Sequence, residues 1–400
     1  MKKVFLFLTL GFLVKAGHAN EGDKTVATVV EHPAAVQDTL ANEPDRSKLF
    51  KFDVMFRGAL MGDNLSEDDA VTRAKLEEIR LLVHGDYNEN LSYSVRFRLN
   101  RPFSQNSLDN GSAALDFANI KYRFGKSRNW DVTVGKQMAN VGSYEFQNNP
   151  IYEFLFTDYV DRILNLFVMG AKVGYHVNPN HSFEVQVHNT VNNTFGEHIA
   201  NNGFAISDLE RSKVPMGAYF TWNGAFADQK FQTKWSYHVS QFAADHTNHA
   251  VSLANMYKTD RQKVYLDLQY SHMSVDHALI ASNSINDFYG NMGSNRILGK
   301  DVVYKSAVLR YDQFLTDKWE IALKGAVETA GSTKDDELGK NFRQNYTYFA
   351  ALQHKPFRKQ DMRFYLGYIG NTISHDSKMD VEKQQLNRLA LGAYFTIPVF

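Results

Sequence analysis

Six basic side chains in the first third of the chain, Arg57, Arg80, Arg96, Arg98, Lys121 and Arg123, have the spacing of a charged surface rather than of a reactive centre. Arg96 and Arg98 lie two apart, as do Lys121 and Arg123, and they interleave with Val95, Phe97 and Leu99 or with Ile120, Tyr122 and Phe124. Side chains two apart share one face of a strand, so this pattern makes one face cationic and the other apolar. A guanidinium presents planar, paired donors that match oxyanions. A file of weak cationic sites lowers the barrier for a passing anion without trapping it. With antiparallel neighbours the six form a staircase, Lys121 and Arg123 near one end, Arg80 and Arg96 in the middle, Arg57 and Arg98 higher. Asp53, Glu78, Asp267, Glu320 and Glu328 share the polar parity elsewhere, so a hydrated wall of compensating charge is the competing expectation.

Catalytic chemistry has little support. There is no nucleophile elbow, no phosphate-cradling glycine loop and no nucleic-acid motif. His246 and His249, and His272 and His277, have metal-like spacing but no carboxylate placed to complete a site. The formal net charge is zero, which excludes a large basic surface for nucleic acid. We therefore expect no enzyme activity, no cofactor and no metal.

The elements that must carry the basic face are strands. From Lys75 to Asn100 the chain reads as two arms of alternating polarity joined by a polar turn, and the pattern recurs to the C-terminus. The apolar faces are clear in Phe52, Val54, Phe56 and Leu60, in Val264, Leu266, Leu268 and Tyr270, and in Met362, Phe364, Leu366 and Tyr368. About sixteen strands emerge, with connections that alternate long (62–72, 101–114, 137–165, 191–210, 243–248, 274–301, 330–344, 371–385) and short. Mean hydropathy is −0.40 and no apolar run beyond the N-terminus is long enough for a helical span. Aromatics reach 13%, with 29 Phe and 20 Tyr, and Cys is absent. Together these predict an all-β fold, a transmembrane antiparallel barrel with long extracellular loops and short periplasmic turns. Trp130 and Trp319 fall just inside short turns on the outward face, where they anchor at the membrane interface.

Residues 1–19 read as a secretory signal peptide, with Lys2 and Lys3, an apolar run from Val4 to Val14, and cleavage after Ala19. Residues 20–50 are polar and irregular, a flexible periplasmic lead-in too short for a plug, and 51–400 form the barrel. Localisation in the outer membrane of a Gram-negative cell follows, with lipid and lipopolysaccharide around the barrel. The terminal Phe400 resembles the signal read by the barrel-assembly machinery.

The hairpin LEEIRLLVHGDYNENLSYSVRFRL, the segment LDFANIKYRFGKSRNWDVTVGKQ and the downstream Asp161-Arg162 resemble the phosphate-selective porin O/P family in a Bacteroidota-like form. The resemblance implies a sixteen-stranded outer-membrane porin, a homotrimer, whose loop after the fifth strand folds inward as a constriction. Gly135-Lys136-Gln137-Met138 lacks the Pro-Phe-Gly that commonly follows in that family. The loop 137–165 carries Glu145, Glu153, Asp158 and Asp161 against Arg162 alone, so an acidic constriction is expected to oppose phosphate selectivity. The functional expectation is a water-filled channel for passive diffusion of small anionic or neutral solutes. The alternative is a barrel serving as scaffold or surface-interaction subunit without significant conductance.

Overall fold

The computed structural model describes residues 49–399 apart from 66–69, 105–111, 149, 191–194, 206–208 and 358–359. The expected signal peptide, most of the lead-in and Phe400 lie outside the described residues. Sixteen strands follow one another: β1 (Lys51–Leu65), β2 (Val71–Asp86), β3 (Leu91–Arg98), β4 (Leu115–Phe124), β5 (Trp130–Met138), β6 (Phe167–Asn178), β7 (His181–Asn189) and β8 (Met216–Phe226). The second half comprises β9 (Phe231–Gln241), β10 (Thr247–Lys258), β11 (Gln262–Val275), β12 (Lys300–Phe314), β13 (Trp319–Ser332), β14 (Arg343–His354), β15 (Asp361–His375) and β16 (Gln384–Pro398). Each pairs antiparallel with its neighbour in sequence, and β1 pairs with β16 to close the barrel. Closure leaves no strand edge unpaired.

The alternation read from the sequence is inverted relative to a soluble barrel. Leu60, Ile120, Val134, Phe183, Phe220, Leu266, Leu309, Leu323 and Leu366 are exposed on the outside. Gln186, Thr221, Ser236, Ser252, Arg310, Lys324 and Glu328 are buried inside. Water would make the first set costly and the second set needless; a lipid surround with a polar interior satisfies both. Near the short turns the outer face becomes aromatic, with Trp130 against Tyr175 at 4.6 Å between ring centroids and Trp319 against His354 at 4.5 Å.

Two β-bulges interrupt the wall beside the basic face. The register of β1 on β2 shifts between Arg57 and Gly58, which pair with Glu78 and Leu76, leaving Glu77 as the extra residue. That of β3 on β4 shifts between Arg96 and Phe97, which pair with Phe117 and Leu115, leaving Asp116. A bulge turns two adjacent side chains to the same side. In both cases the residue turned inward is acidic.

The connection after β5, residues 139–166, folds into the barrel rather than over its mouth. It contains α1 (Tyr144–Gln147), a 3-10 turn (Pro150–Tyr152) and a π-helical turn (Tyr159–Ile163). Ser143 caps α1, its hydroxyl accepting from the Phe146 N–H at 3.2 Å. At Gly142 the backbone passes so close to the wall that a Cβ would stand 2.3 Å from the Lys234 carbonyl oxygen and 2.7 Å from that of Ser252, so glycine is required there. Phe154 packs between Phe349 and Tyr365, with ring centroids 5.2 and 4.7 Å away. Two further helices lie in the long connections, α2 (Phe195–Asn201) and α3 (Ile280–Tyr289). The inner face of α3 buries Ala281 and Ile285 in the same apolar cluster as Tyr159 and Val160.

Candidate pore lining and the in-folded loop

All six predicted basic residues lie on the inward side of the wall, but they do not form an even staircase. Arg80 and Arg98 are directly paired across β2 and β3 and stand at one level. Together with Arg96 they converge on Asp116, which accepts from Arg80 Nη1 and Arg96 Nε at 2.9 Å and from Arg98 Nη2 at 2.8 Å. Arg80 Nε also donates to Glu78 at 2.9 Å. The Arg96 guanidinium stacks over Phe117 at 4.6 Å, which fixes its plane.

Arg57 is withdrawn from this group. Its Nη1 donates to the carbonyl oxygens of Pro150 and Ile151 at 3.0 and 3.1 Å and to that of Glu153, and its Nε lies 3.0 Å from Glu77. It holds the loop and is 5% exposed. Lys121 and Arg123 sit near the short-turn end, where Lys121 pairs with Asp131 at 3.1 Å and Arg123 lies 3.9 Å from Asp86.

The loop acids do something the sequence reading did not expect. Glu145 and Glu153 are fully buried and share Lys324 of β13, whose Nζ donates to them at 2.6 and 3.1 Å and to the Leu155 carbonyl at 2.8 Å. Glu153 also pairs with Arg310 of β12. Glu145 accepts from the N–H and hydroxyl of Thr157 at 2.8 and 2.7 Å, closing the loop on itself. Asp158 accepts from Arg343 and Asn345 of β14 at 2.7 and 2.8 Å. Burial alone would push the Glu153 carboxyl up, but Lys324 and Arg310 outweigh it and hold it well below the usual carboxylate range. The expectation of an acidic constriction facing the solute is therefore corrected for Glu145, Glu153 and Asp158: a second, basic wall on β12–β14 consumes them. Asp161 and Arg162 remain exposed.

Polar contacts from other strands complete the attachment. Ser143 Oγ and the Glu145 N–H both donate to Asp267 at 2.9 Å, the Gly142 N–H donates to Ser236 at 2.8 Å, and the Asp158 and Tyr159 N–H groups donate to Glu328 at 2.8 Å. Each satisfies a backbone or hydroxyl group that burial would otherwise strand.

What remains between the loop and the β2–β4 wall is a cavity of about 640 Å³. Arg80, Arg96, Arg98, Arg101 and Arg162 line it against Glu78, Asp116 and Asp161, so cations outnumber carboxylates. The histidine pairs of the sequence reading are taken up locally: His246 bonds Ser274 at 2.8 Å, and His272 lies 3.5 Å from Asp301. Among the described residues no cluster of three or more His, Asp or Glu is placed to hold a metal ion. Sequence reasoning missed Asp116, Glu77, Arg310, Lys324 and Arg343. Arg310 and Lys324 could have been found, because Lys324 has the parity opposite to Leu323 and Trp319, and Arg310 that opposite to Leu309.

A closed sixteen-stranded barrel with an apolar exterior, a charged interior and the loop after β5 laid inside the lumen is the architecture of an outer-membrane porin. The chain belongs to the family described as phosphate-selective porin O and P, whose profile matches residues 53–397. As such it resides in the outer membrane and forms a channel for passive diffusion of small solutes. Among solved structures it is similar in fold to the outer membrane channel DcaP of Acinetobacter baumannii, at 12% identity and TM-score 0.59, covering 87% of this chain and 97% of that one. It is also similar to an anion-selective porin from Comamonas acidovorans, at 9% identity and TM-score 0.53, over 87% and 99% of the two chains. A third is OmpT of Vibrio cholerae in a trimer form, at 12% identity and TM-score 0.53, again over 87% and 99%. No curated protein sequence matches the chain.

Proposed function

We propose that the channel is anion-biased and that its preference is set by the β2–β4 wall. The observation that carries this reading is the cavity beside the in-folded loop, where Arg80, Arg96 and Arg98 share Asp116, Glu78 pairs with Arg80, and Arg101 and Arg162 have no ion-pair partner among the described residues. A surplus of fixed positive charge in a narrow, low-dielectric passage raises the local anion concentration and depletes cations. Glu145, Glu153 and Asp158 do not oppose it, since Lys324, Arg310 and Arg343 neutralise them, and Asp161, which lines the cavity, is one of three carboxylates there against five arginines. Phosphate is one anion the family description suggests, and the anion selectivity named for the Comamonas porin points the same way.

The working unit is a homotrimer, by analogy with the trimeric OmpT form, exported by a cleaved signal peptide, seated among lipid and lipopolysaccharide, and inserted by the barrel-assembly machinery. It catalyses nothing; flux follows the concentration gradient.

The test is the reversal potential of the purified full-length protein in a planar bilayer under a KCl gradient. The wild type is expected to prefer chloride, and Arg98→Gln with Arg162→Gln to lose most of that preference. A cation-selective or unselective wild type would overturn the reading. Absence of any conductance would favour the scaffold alternative, for which the packing of α3 against the in-folded loop, Ala281 and Ile285 with Tyr159 and Val160, is the supporting observation.

A further inference from the structure

The same cavity has two unlike sides. One side is the arginine group of β2–β4; the other includes Met138 at the end of β5 and Phe156, Leu164 and Leu166 of the loop, all partly exposed. An inorganic anion needs the first side only, and water against the second would be poorly accommodated. An anion with a flat or branched apolar body satisfies both. The volume of about 640 Å³ lies within the range of roughly 300–1,000 Å³ typical of sites for small organic ligands.

The arginines are also prepared for a carboxylate. Asp116 occupies one nitrogen on each of Arg80, Arg96 and Arg98. Arg98 Nε is buried and has no hydrogen-bond partner among the described residues. Arg96 is held between Phe117 and Phe167, at 4.6 and 5.6 Å from the ring centroids, so its fork does not reorient when a solute arrives. A carboxylate entering beside Asp116 would displace no existing pair; it would meet the remaining donors of Arg98 together with the exposed Arg101 and Arg162.

We infer that this cavity is a transit site for organic monocarboxylates with an aromatic or branched apolar body, the carboxylate on the arginine wall and the body against the loop. The inference rests on the anion-channel reading above and specifies its solute class. Arginine supplies the attraction, and the apolar side supplies the discrimination between anions of equal charge.

The experiment uses the full-length protein in planar bilayers in KCl, with benzoate, acetate or inorganic phosphate added to one side as competing anions. Benzoate is expected to interrupt the chloride current at a concentration roughly fivefold to tenfold lower than acetate, from partial burial of its ring, and lower than phosphate. Leu164→Ser should remove most of the benzoate-over-acetate difference, and Leu164→Met should keep it. Equal interruption by benzoate and acetate, stronger interruption by phosphate, or a difference that survives Leu164→Ser overturns the inference. The KCl reversal potential separates the two readings. A chloride-selective channel with no benzoate preference refutes the organic-anion site alone, whereas a channel without chloride preference, or without conductance, refutes both.

Discussion

The lumen has two basic walls, and the same residue types do opposite work on them. On β12–β14, Arg310, Lys324 and Arg343 are buried under the in-folded loop and paired with Glu153, Glu145 and Asp158. On β2–β4, Arg80, Arg96 and Arg98 meet only Glu78 and Asp116, and a cavity separates them from the loop. The loop itself is two-faced, turning Glu145, Glu153 and Asp158 to one wall and Leu164 and Leu166 to the other. A cation in a porin lumen is therefore a fastener or a selectivity element according to what covers it. Local sequence does not decide between the two.

The largest effect should come from breaking the fastener. Lys324→Met leaves Glu145 and Glu153 buried with Arg310 as the remaining cation within reach of Glu153. Removing one partner of a buried ion pair costs about 3–5 kcal/mol. Equilibrium unfolding in detergent should show a loss of that order, and single-channel conductance should rise as the loop detaches. A loss under about 1 kcal/mol with unchanged conductance would mean that apolar contacts such as Phe154 on Phe349 and Tyr365 hold the loop, and the contrast between the walls would lose its energetic basis.

Asp116→Asn sharpens the comparison from the other side. It removes the one carboxylate that three arginines share. Hydrogen bonds to a charged group are worth about 1.5–3 kcal/mol, so stability should fall by about that amount while the reversal potential moves further toward chloride. If selectivity does not move, the β2–β4 charge is not what the passing ion senses.

Most of the fold was legible because a closed barrel repeats one local rule. Period-2 alternation placed β1, β11 and β15, and the alternation of long and short connections led to about sixteen strands, the number that closes the barrel. The inward direction of Arg57, Arg80, Arg96, Arg98, Lys121 and Arg123 followed from the same parity. What that parity could not give was their partners. Counted back from Ile120 and Ala118, Asp116 falls on the outward face, and counted from Glu78 and Arg80 so does Glu77; a bulge at each position turns the acid inward. The loop acids were identified correctly by composition and misread in role, because their cations lie more than 150 residues away and nothing in the local pattern announces the pairing.

Arg123 tests the comparison where both influences are weakest. Its guanidinium lies 3.9 Å from Asp86 near the short-turn end, and both side chains are more than a third exposed. No loop acid reaches it among the described residues, so it is no fastener, and it stands outside the cavity that the other arginines line. An exposed pair of this kind contributes about 0–1 kcal/mol and is screened by salt. Arg123→Gln should therefore leave unfolding within that margin and shift the reversal potential only slightly, and only at low ionic strength. A shift as large as that of Arg98→Gln would place the selectivity step at the channel's exit rather than beside the loop, and would make charge density along the whole wall, not the uncovered cavity, the property that separates the two sides of the lumen.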